Sequence, residues 1–129
     1  MNSPLFRRKN TIFTALIFLN SKRTKENYTT MTITIKKVTT KKELKKFIRF
    51  NYELYKDNPY SVPDLYDDML NTFNPKKNPA FEFCEAEYFL AYKGEEIVGR
   101  VAAIINHRAN DTWNKKEVRF GWLDFIDEE

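Results

Sequence analysis

A chain of 129 residues has room for one domain with a modest core and hardly for two. Its 42% hydrophobic and 31% charged residues are those of a soluble globular protein and exclude a disordered one. The net charge of +4 is unevenly placed: residues 1–30 carry six Lys or Arg against Glu26 alone, a balance of +5, while residues 31–129 carry 16 against 17, a balance of −1. A broad phosphate-binding surface needs an excess of cations on the folded part, so no nucleic-acid partner is expected. Cys84 is the single cysteine and His107 the single histidine. No intrachain disulfide can form, a closed zinc site lacks ligands, and a reducing, cytoplasmic setting follows.

In the first thirty residues Arg7-Arg8-Lys9 precedes the apolar run Thr11–Leu19. The run is too short to span a bilayer as a helix, and no small-residue cleavage site follows it, so no membrane partner is expected. Three readings fit this basic extension: a start assigned upstream of a true initiator at Met31, a disordered or loosely helical tail, or an export signal. An orderly pattern begins only after Met31, and residues 31–129 read as one domain.

Residues 32–38 alternate with period two and are rich in Ile, Thr and Val, predicting a strand with Ile33 and Ile35 on one face. Thr40-Lys-Lys-Glu43 matches a capping box and predicts a helix from Lys41 to about Asp57. Leu44, Phe47, Ile48, Tyr52 and Tyr55 form its apolar stripe, and the Lys41, Lys42, Lys45, Lys46 run reads as its wet face. Asn58-Pro59 to Pro63 breaks the chain. A second helix is expected from Asp64, as N-cap, to about Phe73, with a short helical turn over 80–85. Residues 88–93 and 96–106 read as a hairpin around Gly94-Glu95, its second arm apolar on both faces from Val101 to Ile105. Gly99 marks a bulge or a close backbone approach. Residues 107–116 are polar and turn-like, and 118–125 form a last strand. The order β-α-α-β-β-β predicts an α+β fold, a mostly antiparallel sheet with two helices.

That order resembles the N-terminal half of the GNAT superfamily of N-acetyltransferases, and in detail a group of larger bacterial GNAT-like proteins. The stretches that carry the resemblance are Asn58-Pro-Tyr-Ser-Val-Pro63, Asn78-Pro-Ala-Phe81, Phe89–His107 with its Val-Gly-Arg, and Phe120-Gly-Trp-Leu-Asp-Phe-Ile-Asp127. The resemblance implies acyl transfer from acetyl-CoA to a small-molecule or peptide amine. The family's pyrophosphate-cradling loop follows the fourth strand, and these residues contain no such glycine-rich stretch. The chain is therefore expected to be truncated after that strand, with no cofactor-binding residues of its own and no activity alone. A partner chain completing it, or a non-enzymatic interaction module that self-associates through uncovered sheet edges, is the alternative.

By the same resemblance Asp124, near the end of the fourth strand, is the candidate base that deprotonates the amine, and His107 a candidate proton shuttle or substrate contact. Tyr60 and Trp122 are candidates for lining the acceptor pocket. Each has a plainer reading as a strand-end carboxylate, a loop histidine or core aromatics. Arg100, in an apolar strand, needs either a buried partner such as Glu85 or Asp124, or a face turned to solvent. Cys84 reads as a small buried hydrophobe.

Overall fold

The computed structural model describes residues 32–127, so the readings of the basic extension lie outside the described residues. Four strands form one open antiparallel sheet in sequence order: β1 (Ile33–Lys37), β2 (Cys84–Lys93), β3 (Glu96–Asn106) and β4 (Arg119–Phe125). Helices α1 (Lys41–Tyr55) and α2 (Tyr66–Thr72) are inserted between β1 and β2. The architecture is α+β, and the expected strand order is present. Among the described residues no helix is long and apolar enough to cross a membrane.

The capping box fixes the start of α1. The Thr40 hydroxyl accepts from Glu43 N at 3.2 Å, and the Glu43 carboxylate takes the Thr39 and Thr40 amides at 2.8 and 2.9 Å. These backbone bonds hold the Glu43 carboxyl down at about 2. The buried side of α1 includes Phe50, absent from the expected stripe, while Tyr55 stays exposed.

Asp64 does not cap α2. That helix starts at Tyr66 with Leu65 at the N-cap and no side-chain cap bond. The Asp64 carbonyl instead accepts from the Tyr52 hydroxyl at 2.7 Å, which pins the incoming chain to α1. Asp67 and Asp68 supply the acidic first turn that complements the helix dipole. The turn over 80–85 is a 3₁₀ turn at Pro79–Glu82, its first amide held by the Asn78 side chain.

The hairpin is longer than its sequence suggests. Each residue of β3 as far as Asn106 needs a ladder partner, and the pairing reaches back to Cys84. At the turn Gly94 has φ +63° and Glu95 lies in the ordinary negative range, the sign pattern of a type II′ turn. Gly99 serves both expected roles. The register slips beside it, between Ala91 and Tyr92, and a Cβ at Gly99 would meet Phe125 Cβ and the Asp124 carbonyl at 3.4 Å. Residues 107–112 are a further short helix, α3 (His107–Thr112), where the sequence suggested only a turn. The Asn106 carboxamide nucleates it by accepting from Ala109 N at 2.8 Å.

The core lies between the helices and one face of the sheet: Phe47, Ile48, Met69, Phe73, Leu90 and Ala102. Phe73 meets Phe47, Tyr88 and Trp122 edge-on at centroid distances of 5.6, 5.0 and 4.9 Å. Such pairs add roughly 0.5–1.5 kcal/mol each beyond area burial. Burial pushes the Tyr88 phenol up to about 12. The other face of the sheet is unevenly covered, and Ile105 on it is only 4% exposed. Cross-strand pairs there, Ile35 with Ala91, Phe120 with Ala103 and Phe125 with Gly99, leave all three large side chains exposed.

Candidate functional site

The conspicuous chemistry sits where α1 crosses β3 and β4. Arg100 is 5% exposed and stands directly across the ladder from Asp124. Its Nε and Nη2 both lie 2.7 Å from Asp124 Oδ2, and Nη1 donates to the Phe47 carbonyl at 2.9 Å. The guanidinium also lies over the Phe47 ring, 5.1 Å from its centroid. Asp124 takes two further bonds from α1, Asn51 Nδ2 on Oδ2 at 3.2 Å and the Tyr55 hydroxyl on Oδ1 at 3.1 Å. A buried cation is tolerable here because it is paired and its remaining donors are satisfied. Of the options the sequence left for Arg100, the structure selects Asp124; Glu85 and solvent are excluded.

Phe47, Asn51 and Tyr55 follow one another at four-residue spacing, so a single row of α1 faces the pair. Tyr55 is the exposed member of the cluster. The hydrogen bond to Asp124 and that residue's negative charge raise its pKa, so it stays a phenol through the neutral range.

Next to Asp124 the fourth strand is irregular. Arg100 pairs with Asp124 and Ala102 with Gly121, so Trp122 and Leu123 together oppose Val101 alone. This is a β-bulge, which takes backbone groups out of the ladder. Trp122 adopts φ +47°, a region that costs a bulky residue about 1–3 kcal/mol and is found at functional sites. The edge contact of its indole with Phe73 secures it.

The four residues that the sequence put forward are thus divided. Asp124 and Trp122 adjoin on β4, and Trp122 packs into the core side. Tyr60, in the loop after α1, is 93% exposed, its amide bonded to Asn58 Oδ1 at 2.9 Å. His107 opens α3 just past the end of β3, with six strand residues from Arg100 to Asn106 (roughly 20 Å at strand rise) before it, and is not part of the cluster. Its Nε2 lies 2.9 Å from Glu85 Oε1 at the far end of the hairpin, both side chains about 42% exposed. Asn51 and Tyr55 are the site residues that sequence reading missed. The signal was their four-residue spacing from Phe47, of which only Phe47 and Tyr55 were read, as members of the apolar stripe.

The three glycines supply no phosphate cradle. Gly94 forms the hairpin turn, Gly99 packs on Asp124, Phe125 and Ala91, and a Cβ at Gly121 would meet Ile104 at 3.6 Å.

No family model matches the chain, and no solved structure matches it. Among curated proteins it is similar to Protein YghO of Escherichia coli (strain K12), 34% identical over 88 residues, which cover 68% of this chain and 22% of that protein. It is also similar to the Bacterial ceramide synthase of Caulobacter vibrioides (strain NA1000 / CB15N), 36% identical over 69 residues, 54% of this chain and 18% of that protein. The chain spans about a fifth of the length of these relatives.

Proposed function

We propose that residues 31–129 are the acceptor side of a GNAT-like N-acyltransferase domain, acting on an amine, with the acyl donor bound by polypeptide outside these residues. The observation that carries the reading is the bulge at Trp122–Leu123 beside an anchored carboxylate, Asp124, on the last strand of a β-α-α-β-β-β unit. Amine acylation requires a proton acceptor for the attacking nitrogen and donors for the oxyanion that develops on the acyl carbon. Asp124 is the acceptor, and the exposed Tyr55 hydroxyl relays: it gives its proton to Asp124 Oδ1 as it takes one from the amine. Backbone amides freed at the bulge face the oxyanion. Arg100 and Asn51 are positioning residues that hold Asp124 through Oδ2. A ceramide is an N-acylated amino alcohol, so the name of the Caulobacter relative is that of an amine acylation and agrees with this reaction class.

The test is a chimera in which the matching segment of the Caulobacter ceramide synthase is replaced by this chain's residues. The chimera should retain acyl transfer within about tenfold. Asp124→Asn in it should lower kcat by about 10²–10⁴, the usual worth of a general base, with KM for the acyl donor little changed. A chimera that folds yet acylates no amine, or an Asp124→Asn variant of full activity, overturns the reading.

A further inference from the structure

The lysine run of α1, read from sequence as a solvated helix face, is one wall of a groove. The first turns of α1, the exposed side of α2 and the segment after α2 enclose a half-open cavity of about 740 Å³. Leu44, Leu70 and the ring of Phe73 form its apolar floor. Lys41 and Lys45 line it from α1 and Lys76 and Lys77 from the segment after α2, while Lys42 and Lys46, about 100° further round α1, are exposed outside the lining. Lys77 is held at the wall by a 2.9 Å bond from its Nζ to Asn71 Oδ1.

Acids do little to neutralise the four lining lysines. Asp67 is the one carboxylate in the lining, and Glu43, which shares their stretch of sequence, is committed to the Thr39 and Thr40 amides. A domain with a net charge of −1 thus gathers four of its 16 cations around one groove. The reading of no nucleic-acid partner rested on the average charge of residues 31–129, which does not register where the cations stand.

We propose that this groove is a docking surface for an anionic lipid bilayer. Headgroup phosphates sit among Lys41, Lys45, Lys76 and Lys77, and the adjoining acyl region rests on Leu44 and Leu70. The charge pattern selects an anion, since clusters of four to eight basic residues on an amphipathic helix bind anionic membrane surfaces. The apolar floor selects a lipid over a nucleic acid: single strands are held by exposed aromatic faces, and the one aromatic here, Phe73, is buried in the core. This inference is independent of the proposed acyl transfer.

The experiment is flotation of the whole chain with phosphatidylcholine vesicles, with and without about 30% phosphatidylglycerol, at two ionic strengths. Binding is expected only to the anionic vesicles and should weaken with salt. Lys45→Glu with Lys76→Glu should reduce it at least tenfold. The charge-matched control, Lys115→Glu with Lys116→Glu, should reduce it less than threefold, and both carry the same basic residues 1–30. Leu70→Gln, which keeps the charges, should also weaken binding, with folding followed by circular dichroism. Equal losses in the two lysine pairs, no anionic-vesicle binding, or a single-stranded oligonucleotide bound as tightly as the vesicles would each overturn the proposal.

Discussion

The two faces of the sheet have similar composition and different fates. On the helix side Leu90 and Ala102 are sealed beneath Phe47 of α1 and Phe73 at the end of α2, and even a charged pair, Arg100 with Asp124, is taken inside and satisfied. On the opposite side Ile33, Ile35, Phe120 and Phe125 lie open, and the charged pair found there, Lys37 with Glu87, joins strands at the β1–β2 edge. Strand alternation decides which side each residue takes, but whether a side chain becomes core depends on what crosses above it. The lesson is that an apolar residue on a strand records a capacity for burial, met under the helices and only in part on the opposite face, where Ile105 is buried while Ile35, Phe120 and Phe125 are not.

The largest effect should come from testing that contrast directly. Leu90→Ala, on β2 at a position of 1% exposure, should cost about 2–5 kcal/mol in urea unfolding. Phe120→Ala, 70% exposed, should stay within about 0.5 kcal/mol. Comparable losses at the two sites would break the comparison. Of the same order is the buried pair: Arg100→Met strands Asp124 without its cation and should cost about 3–5 kcal/mol. The double change Arg100→Met with Asp124→Leu should recover most of that, since an apolar pair of similar volume carries no unpaired charge. A double variant as unstable as the single would mean that the geometry at the bulge, and not the charge, holds β4.

The smallest effect is at the start of α1. Glu43 is an acid whose folded pKa, about 2, is depressed below its usual 4.5. Its stabilising contribution is therefore complete above the unfolded value and is lost as pH falls from about 4.5 through about 2. The stability–pH profile of Glu43→Gln should be flatter than that of the parent over this window. Parallel profiles would remove the capping box as an acid-sensitive feature.

Much of the fold was legible because its signals are local. Alternation marked β1, a four-residue motif fixed the first turn of α1, prolines bounded the helices, and glycines placed the hairpin and the bulge beside Ala91. Failures arose where a partner far along the chain set the outcome. Asp64 has the side chain of a cap, but Tyr52 claims its carbonyl and the helix starts two residues on. Asn51 and Tyr55 look like ordinary helix residues until β4 brings Asp124 against them.

By itself, then, the sequence determined the element order, the antiparallel hairpin and the α1 cap, because each rests on periodicity or on bonds spanning a few residues. Only the tertiary structure decided the partner of Arg100, the αL bulge at Trp122, the distance of His107 from that cluster and the joining of two lysine pairs into one groove. Those features depend on strand register and helix crossing, which are fixed by the shared core of the two layers and leave no mark within any single segment.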